Sequence, residues 1–215
     1  MTGRKRTSLI ANRLTCGIWC RAVLATIAFL AMAWTCQVPA EERLPLADSA
    51  GGVGSDGGSN EVPSFYVRAV TGPLAGKSVC YVCRNGDRPV VIVLLRELGP
   101  ESTALLKDLD RTVNRHRAEG LRCFAVLLSD TAQRDSARLQ TLAFDEKIDL
   151  PLTVAGETIV QGSTLAFPRE SAVCVVAYQD RQVVHRYAFK SGNCDAAARR
   201  EILAATERML VSKAE

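Results

Sequence analysis

Pro89-Val-Val-Ile-Val-Leu-Leu95 runs for seven residues without a charge, a hydroxyl or an amide side chain. A strand with one wet face alternates apolar and polar residues. A continuous apolar run of this length suits a central strand covered on both faces. The next signals are helical. Gly99-Pro100 opens a helix, with Pro tolerated in a first turn, and Leu105, Leu109 and Val113 give it a buried stripe that closes near Gly120. Cys123-Phe-Ala-Val-Leu-Leu128 reads as a second buried strand. Asp130 is placed to cap a second helix that turns Ala132, Leu139, Leu142 and Ala143 inward. Strand, helix, strand in that order requires two parallel strands joined by a right-handed crossover.

Outward from this unit the pattern continues in both directions. Phe65 to Val70 and Ser78 to Val82 are short β-prone runs before it. After it, Leu150-Pro151-Leu152 leads into about 20 residues of weak signal. Ala172 to Tyr178 and Gln182 to Phe189 then flank Gln179-Asp180-Arg181 as a hairpin. Asn193 or Asp195 is placed to cap a last helix with Ala198, Ile202, Ala205 and Met209 on one face. The sequence is predicted to divide into a leader over 1–40, a Gly/Ser-rich linker over 41–62 and one α/β domain over 63–215.

The leader has the organisation of a Sec-type signal peptide. Arg4, Lys5, Arg6, Arg13 and Arg21 precede or border the apolar run Ala22 to Trp34, and Val38-Pro39-Ala40 offers small residues for cleavage. The run is shorter than the roughly 20 residues of a membrane span. A secreted or periplasmic location is therefore expected, with an uncleaved N-terminal anchor as the alternative; the chain meets a membrane only in that case. Ser49 to Asn60, rich in Gly, Ser and Asp, reads as flexible coil. Charge belongs mostly to the leader. Removing its five basic residues from 27 leaves 22 Lys and Arg against 23 Asp and Glu, a near-neutral domain without the electrostatic footprint of a nucleic-acid binder.

The order β-β-β-α-β-α, hairpin, α resembles the thioredoxin-like superfamily, nearest its peroxiredoxin-like branch, over residues 62–212. The segments that carry the resemblance are Gly76-Lys77, Val90 to Leu95, Leu150-Pro151-Leu152-Thr153, the hairpin Val173 to Tyr187 and the closing helix. It implies a three-layer sandwich with a central mixed sheet flanked by helices. It also implies a reactive cysteine just after the central strand. Here that segment is Arg96-Glu-Leu-Gly-Pro-Glu-Ser-Thr103, which has none, and the pattern Pro-x-x-x-Thr-x-x-Cys is missing. A standard peroxiredoxin mechanism is disfavoured accordingly.

Five of the eight cysteines lie beyond the leader: Cys80, Cys83, Cys123, Cys174 and Cys194. Cys123 and Cys174 sit inside apolar strands, where a cysteine is a small core residue. Cys194 opens the last helix, whose dipole favours a thiolate while the adjacent Asp195 opposes it. Cys80-Tyr-Val-Cys83 carries the chemical promise, with Lys77, Arg84 and Arg88 close in sequence. Two thiols at this spacing can cycle between dithiol and disulfide, hold half a metal site, or be structural. A fully extended segment would hold the two Cα atoms about 10 Å apart at ~3.3 Å per residue, too far for a bond. A disulfide then needs a bend near Cys83, and Arg84-Asn-Gly-Asp87 is a turn signal. A metal site would need His116 or His185 as well, and no cofactor is implied. Two functions stay open. One is an exported thiol–disulfide oxidoreductase acting on protein thiols or disulfides through Cys80 and Cys83. The other is a catalytically inactive binding or structural module of the same fold.

Overall fold

The computed structural model describes residues 60–161 and 164–211; the leader, and all but the end of the linker, lie outside them. Seven strands form one mixed sheet: β1 (Val67–Ala69), β2 (Ser78–Val79), β3 (Val90–Leu95), β4 (Arg122–Leu128), β5 (Leu152–Ala155), β6 (Val173–Gln179) and β7 (Gln182–Phe189). Their spatial order is β2-β1-β5-β4-β3-β6-β7. The helices are α1 (Tyr81–Asn85), α2 (Pro100–Arg115), α3 (Ala132–Glu146) and α4 (Ala196–Val211).

The continuously apolar runs occupy the middle of the sheet. β3 pairs in parallel with β4 from Val90 opposite Arg122 to Leu95 opposite Leu127. It pairs antiparallel with β6 along its other edge, and all six β3 residues are fully buried. β4 pairs in parallel with β5. The two crossovers step in the same direction across the sheet, so right-handed connections set α2 and α3 on the same face. Leu105, Leu109 and Val113 of α2, Leu139 of α3 and Ile202 and Met209 of α4 join one core there with Val91, Val93 and Leu95. On the opposite face Cys80, Tyr81 and Val82 pack with Ile92, Leu94, Phe124, Val126 and Tyr178, together with Val160, Leu165 and Phe167. The sheet is thus layered on both sides, as the resemblance implied.

Several local expectations are corrected. Ser78 to Val82 is not one strand: β2 stops at Val79 and α1 begins at Tyr81. The strand preferences of Tyr81 and Val82 yield to burial, since one helical turn places both in the core, Tyr81 stacked on Phe124 at 5.0 Å between centroids. Gly86, at φ 57°, ends that helix within the expected turn, and its N–H meets Val82 C=O. α2 ends at Arg115, with His116 rather than Gly120 at its cap, and His116 bonds Glu119 at 2.9 Å. Thr131, not Asp130, stands at the N-cap of α3, and Ala132 is exposed. Asp135 inside the first turn accepts bonds from the hydroxyls of Ser129 and Thr131. Asp195 does cap α4, its Oδ1 accepting the N–H groups of Ala197 at 2.9 Å and Ala198 at 2.8 Å. Among the described residues no helix is long and apolar enough to cross a membrane.

Candidate functional site: a disulfide on the thin face of the sheet

Cys80 and Cys83 are joined by a disulfide, with Cα atoms 5.3 Å apart. The chain shortens the distance by bending at Cys80 itself, earlier than the turn signal suggested. Cys80 is extended (φ −92°, ψ 98°) and is the N-cap of α1, so Tyr81, Val82 and Cys83 complete a helical turn beneath it. A turn brings residues three apart to the same side, within disulfide reach. The backbone N–H of Cys83 donates to Cys80 Sγ at 3.1 Å.

The two halves of the bond sit in different surroundings. Cys80 keeps 6% of its surface exposed, whereas Cys83 is exposed. The pairing was among the readings of the motif; which end is buried was not. Both follow from the anchoring of Tyr81 and Val82 on the sheet, which turns position 80 inward and position 83 outward. Arg84 and Arg88 are exposed beside Cys83, as is Lys77 before β2.

The place where the resemblance implies a reactive thiol is differently furnished. β3 ends at Leu95, and α2 starts at Pro100 after its N-cap Gly99, whose N–H donates to Ser102 Oγ at 2.9 Å. Arg96 follows the strand. It bonds both carboxylate oxygens of Glu157, at 2.8 and 3.2 Å. It also donates to the backbone carbonyls of Phe167, Pro168 and Ser171. Its guanidinium lies 4.0 Å from the centre of the Phe167 ring. The side chain is one-fifth exposed. This position is therefore a structural clamp, tying the end of the central strand to the loop before β6.

The other thiols are unsuited to exchange. Cys123, Cys174 and Cys194 are free and buried. Burial pushes the thiol pKa of Cys123 and of Cys174 up. At Cys194 the helix-start expectation is corrected: burial raises its pKa to about 11, against the lowering charge of Arg199. Glu101 also approaches, accepting the Cys194 N–H at 3.2 Å. His116 lies at the end of α2 and His185 on β7, where burial and the charge of Arg208 lower its pKa. Among the described residues no three His, Cys, Asp or Glu side chains gather as a metal site.

No family model and no curated protein sequence matches the chain. Solved structures do. A secreted Mycobacterium tuberculosis disulfide oxidoreductase homologous to E. coli DsbE aligns at TM-score 0.52 and 9% identity, over 67% of this chain and 96% of that one. A bacterioferritin comigratory protein of Xanthomonas campestris, described for its alkyl peroxide reduction activity, aligns at 0.53 and 12%, over 68% and 92%. An uncharacterized conserved protein from Geobacillus kaustophilus aligns at 0.54 and 18%, over 71% and 81%.

Proposed function

The described domain carries a thioredoxin-like fold, and on that premise we propose that the chain is an exported thiol–disulfide exchange protein whose working pair is Cys80 and Cys83. The observation that carries this reading is the asymmetry of the bond, one sulfur-bearing residue exposed and the other buried with a hydrogen bond to its sulfur. Export supports it from the sequence side, because disulfides persist in oxidising compartments.

The asymmetry of exposure supports the following steps. A partner thiolate attacks Cys83 Sγ, the exposed end. The Cys80–Cys83 bond breaks, and Cys80 leaves as a thiolate that the Cys83 N–H stabilises, since a hydrogen bond to a charged form favours that form. Cys83 is then held in a mixed disulfide. A second thiol of the partner attacks its own sulfur in that bond, releasing Cys83. The partner's two thiols become a disulfide, Cys80 and Cys83 become a dithiol, and the two protons pass to them. Run backwards, the same steps reduce a partner disulfide. The alternative of an inactive module of this fold is favoured by the Arg96 clamp, which occupies the position after β3.

Thiol trapping and mass spectrometry across a glutathione series test the reading. The expected result is a Cys80–Cys83 pair that opens and closes at a potential within roughly −120 to −270 mV, the span of known oxidoreductases. A bond that stays closed far below that span would leave a structural staple and an inactive module.

A further inference from the structure

Next to the exposed half of the disulfide lies a concentration of positive charge without ion-pair partners. Arg84 is on the last turn of α1, directly after Cys83. Arg88 is brought back to that turn by its N–H bond to the Asn85 carbonyl at 3.3 Å. The strand register then adds a third charge. Arg122 opens β4 opposite Val90, and its backbone N–H meets the Pro89 carbonyl at 3.0 Å. The Arg122 guanidinium donates to the Arg117 carbonyl at 3.0 Å, which places Arg117 beside it. Arg84, Arg88 and Arg117 are exposed and Arg122 is half-buried. Among the described residues none of the four forms a salt bridge, whereas Arg96, Arg111, Arg115, Arg138, Arg181 and Arg199 all do. Asp87, the carboxylate of the same turn, is one negative charge in sequence beside these four positive ones.

Crowding like charges costs free energy that a domain normally relieves by interleaving carboxylates. The sequence outside the leader has enough of them, with 23 acidic against 22 basic residues. Five of those acidic residues and one basic residue lie in the linker, so the domain over 63–215 has 21 basic against 18 acidic residues, and the four arginines of this corner exceed its whole net charge of +3. Such a surface accelerates encounter with an opposite charge and fixes its orientation.

We infer that the surface of Arg84, Arg88, Arg117 and Arg122 docks an acidic segment of a protein partner whose cysteine meets Cys83. The inference rests on the exchange reading above and names its substrate class: cysteines flanked by Asp or Glu. The guanidinium fork suits carboxylates because it binds both oxygens at once.

The test uses the full oxidised chain and two synthetic peptides of equal length, one with a single cysteine flanked by Glu and the other by Lys. Opening of the Cys80–Cys83 bond is followed at about 20 mM and about 0.5 M salt, where screening is weak and strong respectively, and rates are expressed per peptide thiolate. The Glu peptide should react faster by about tenfold or more at low salt, the lower end of electrostatic steering, and the preference should collapse at high salt. Arg84→Glu/Arg88→Glu, at two exposed positions, should lose or invert the preference. Equal rates for the two peptides, while dithiothreitol opens the bond readily, overturn the docking inference and leave the exchange reading standing. A bond that resists dithiothreitol as well removes both.

Discussion

The backbone N–H of Cys83 points at Cys80 Sγ from 3.1 Å, inside the same turn that the Cys80–Cys83 bond closes. The buried sulfur thus has a donor in place for negative charge, and the exposed residue supplies that donor. Under the proposed exchange, this relationship gives different roles to two cysteines that the motif alone treats alike, with Cys83 as the contact to a partner and Cys80 as the leaving and resolving group.

Single substitutions should therefore differ in what they trap. Cys80→Ser leaves the exposed thiol able to attack a partner disulfide and removes the group that resolves the mixed disulfide, so a covalent complex with an added disulfide-bonded protein should accumulate, one partner thiol being released. Cys83→Ser leaves a buried thiol and should accumulate little. Non-reducing electrophoresis with mass spectrometry reads the difference. Equal trapping by the two variants, or trapping by Cys83→Ser alone, contradicts the assignment.

Cys123, Cys174 and Cys194 should stay silent in the native protein. They are 5%, 0% and 0% exposed, and burial raises each thiol pKa, that of Cys194 to about 11. The thiolate is the nucleophile, so alkylation at pH 8 should label none of the three until urea unfolds the chain. After mild reduction Cys83 should be labelled first. Rapid native labelling of Cys194 would mean that the α4 end opens far more often than its packing implies.

Arg96 should matter for stability rather than for exchange. Arg96→Ala removes the donors to Glu157 and to the carbonyls of Phe167, Pro168 and Ser171. Leaving partly buried acceptors unpaired costs about 1–3 kcal/mol, and a loss of about 2–3 kcal/mol in urea unfolding is expected, with the exchange potential unchanged. Arg96→Lys should restore only part of it, because a point charge cannot span both Glu157 oxygens and three carbonyls.

Asp110 should give the domain a pH dependence of definite sign. Its carboxylate, 7% exposed, accepts the backbone N–H groups of Asp149 at 3.1 Å and Leu150 at 2.9 Å. Burial raises its pKa above 3.8, outweighing the lowering effect of the Leu150 N–H bond. A raised folded-state pKa means that the native state holds this proton more tightly. The associated stability is complete below 3.8 and is lost as pH rises through the raised value. Asp110→Asn keeps an oxygen for both N–H groups and removes the charge, so at pH 7 it should fall within about 1 kcal/mol of the parent and flatten this decline. Asp110→Ala, which orphans both N–H groups, should lose about 2 kcal/mol. Urea unfolding from pH 3 to 7 separates the three, and a steeper decline in the Asn variant would reverse the sign argued here.

The legible part of the fold was the part whose burial shows in composition. β3, and β4 from Cys123 onward, are covered on both faces, so those stretches are apolar throughout. The hairpin and α4 announce themselves by turn residues and by the spacing of Ile202, Ala205 and Met209. β5 left little signal because it is four residues long and includes Thr153, a polar residue made tolerable in the core by the bond of its hydroxyl to the Ala125 carbonyl at 2.8 Å. α1 was misread because the preferences of Tyr81 and Val82 describe an isolated strand, while their position is set by Phe124 and its neighbours some 40 residues on.

The amino-acid sequence by itself established the order of elements, the near-neutral charge beyond the leader, the missing cysteine after β3 and the presence of two thiols three residues apart. Those are properties of residue type and spacing. Whether the two thiols meet, which of them faces solvent and which arginines stand beside it were decided only when β3, β4 and β6 assembled the surface that swallows Tyr81 and Val82. Disulfide reach and burial depend on distances across the sheet, and spacing along the chain does not encode them.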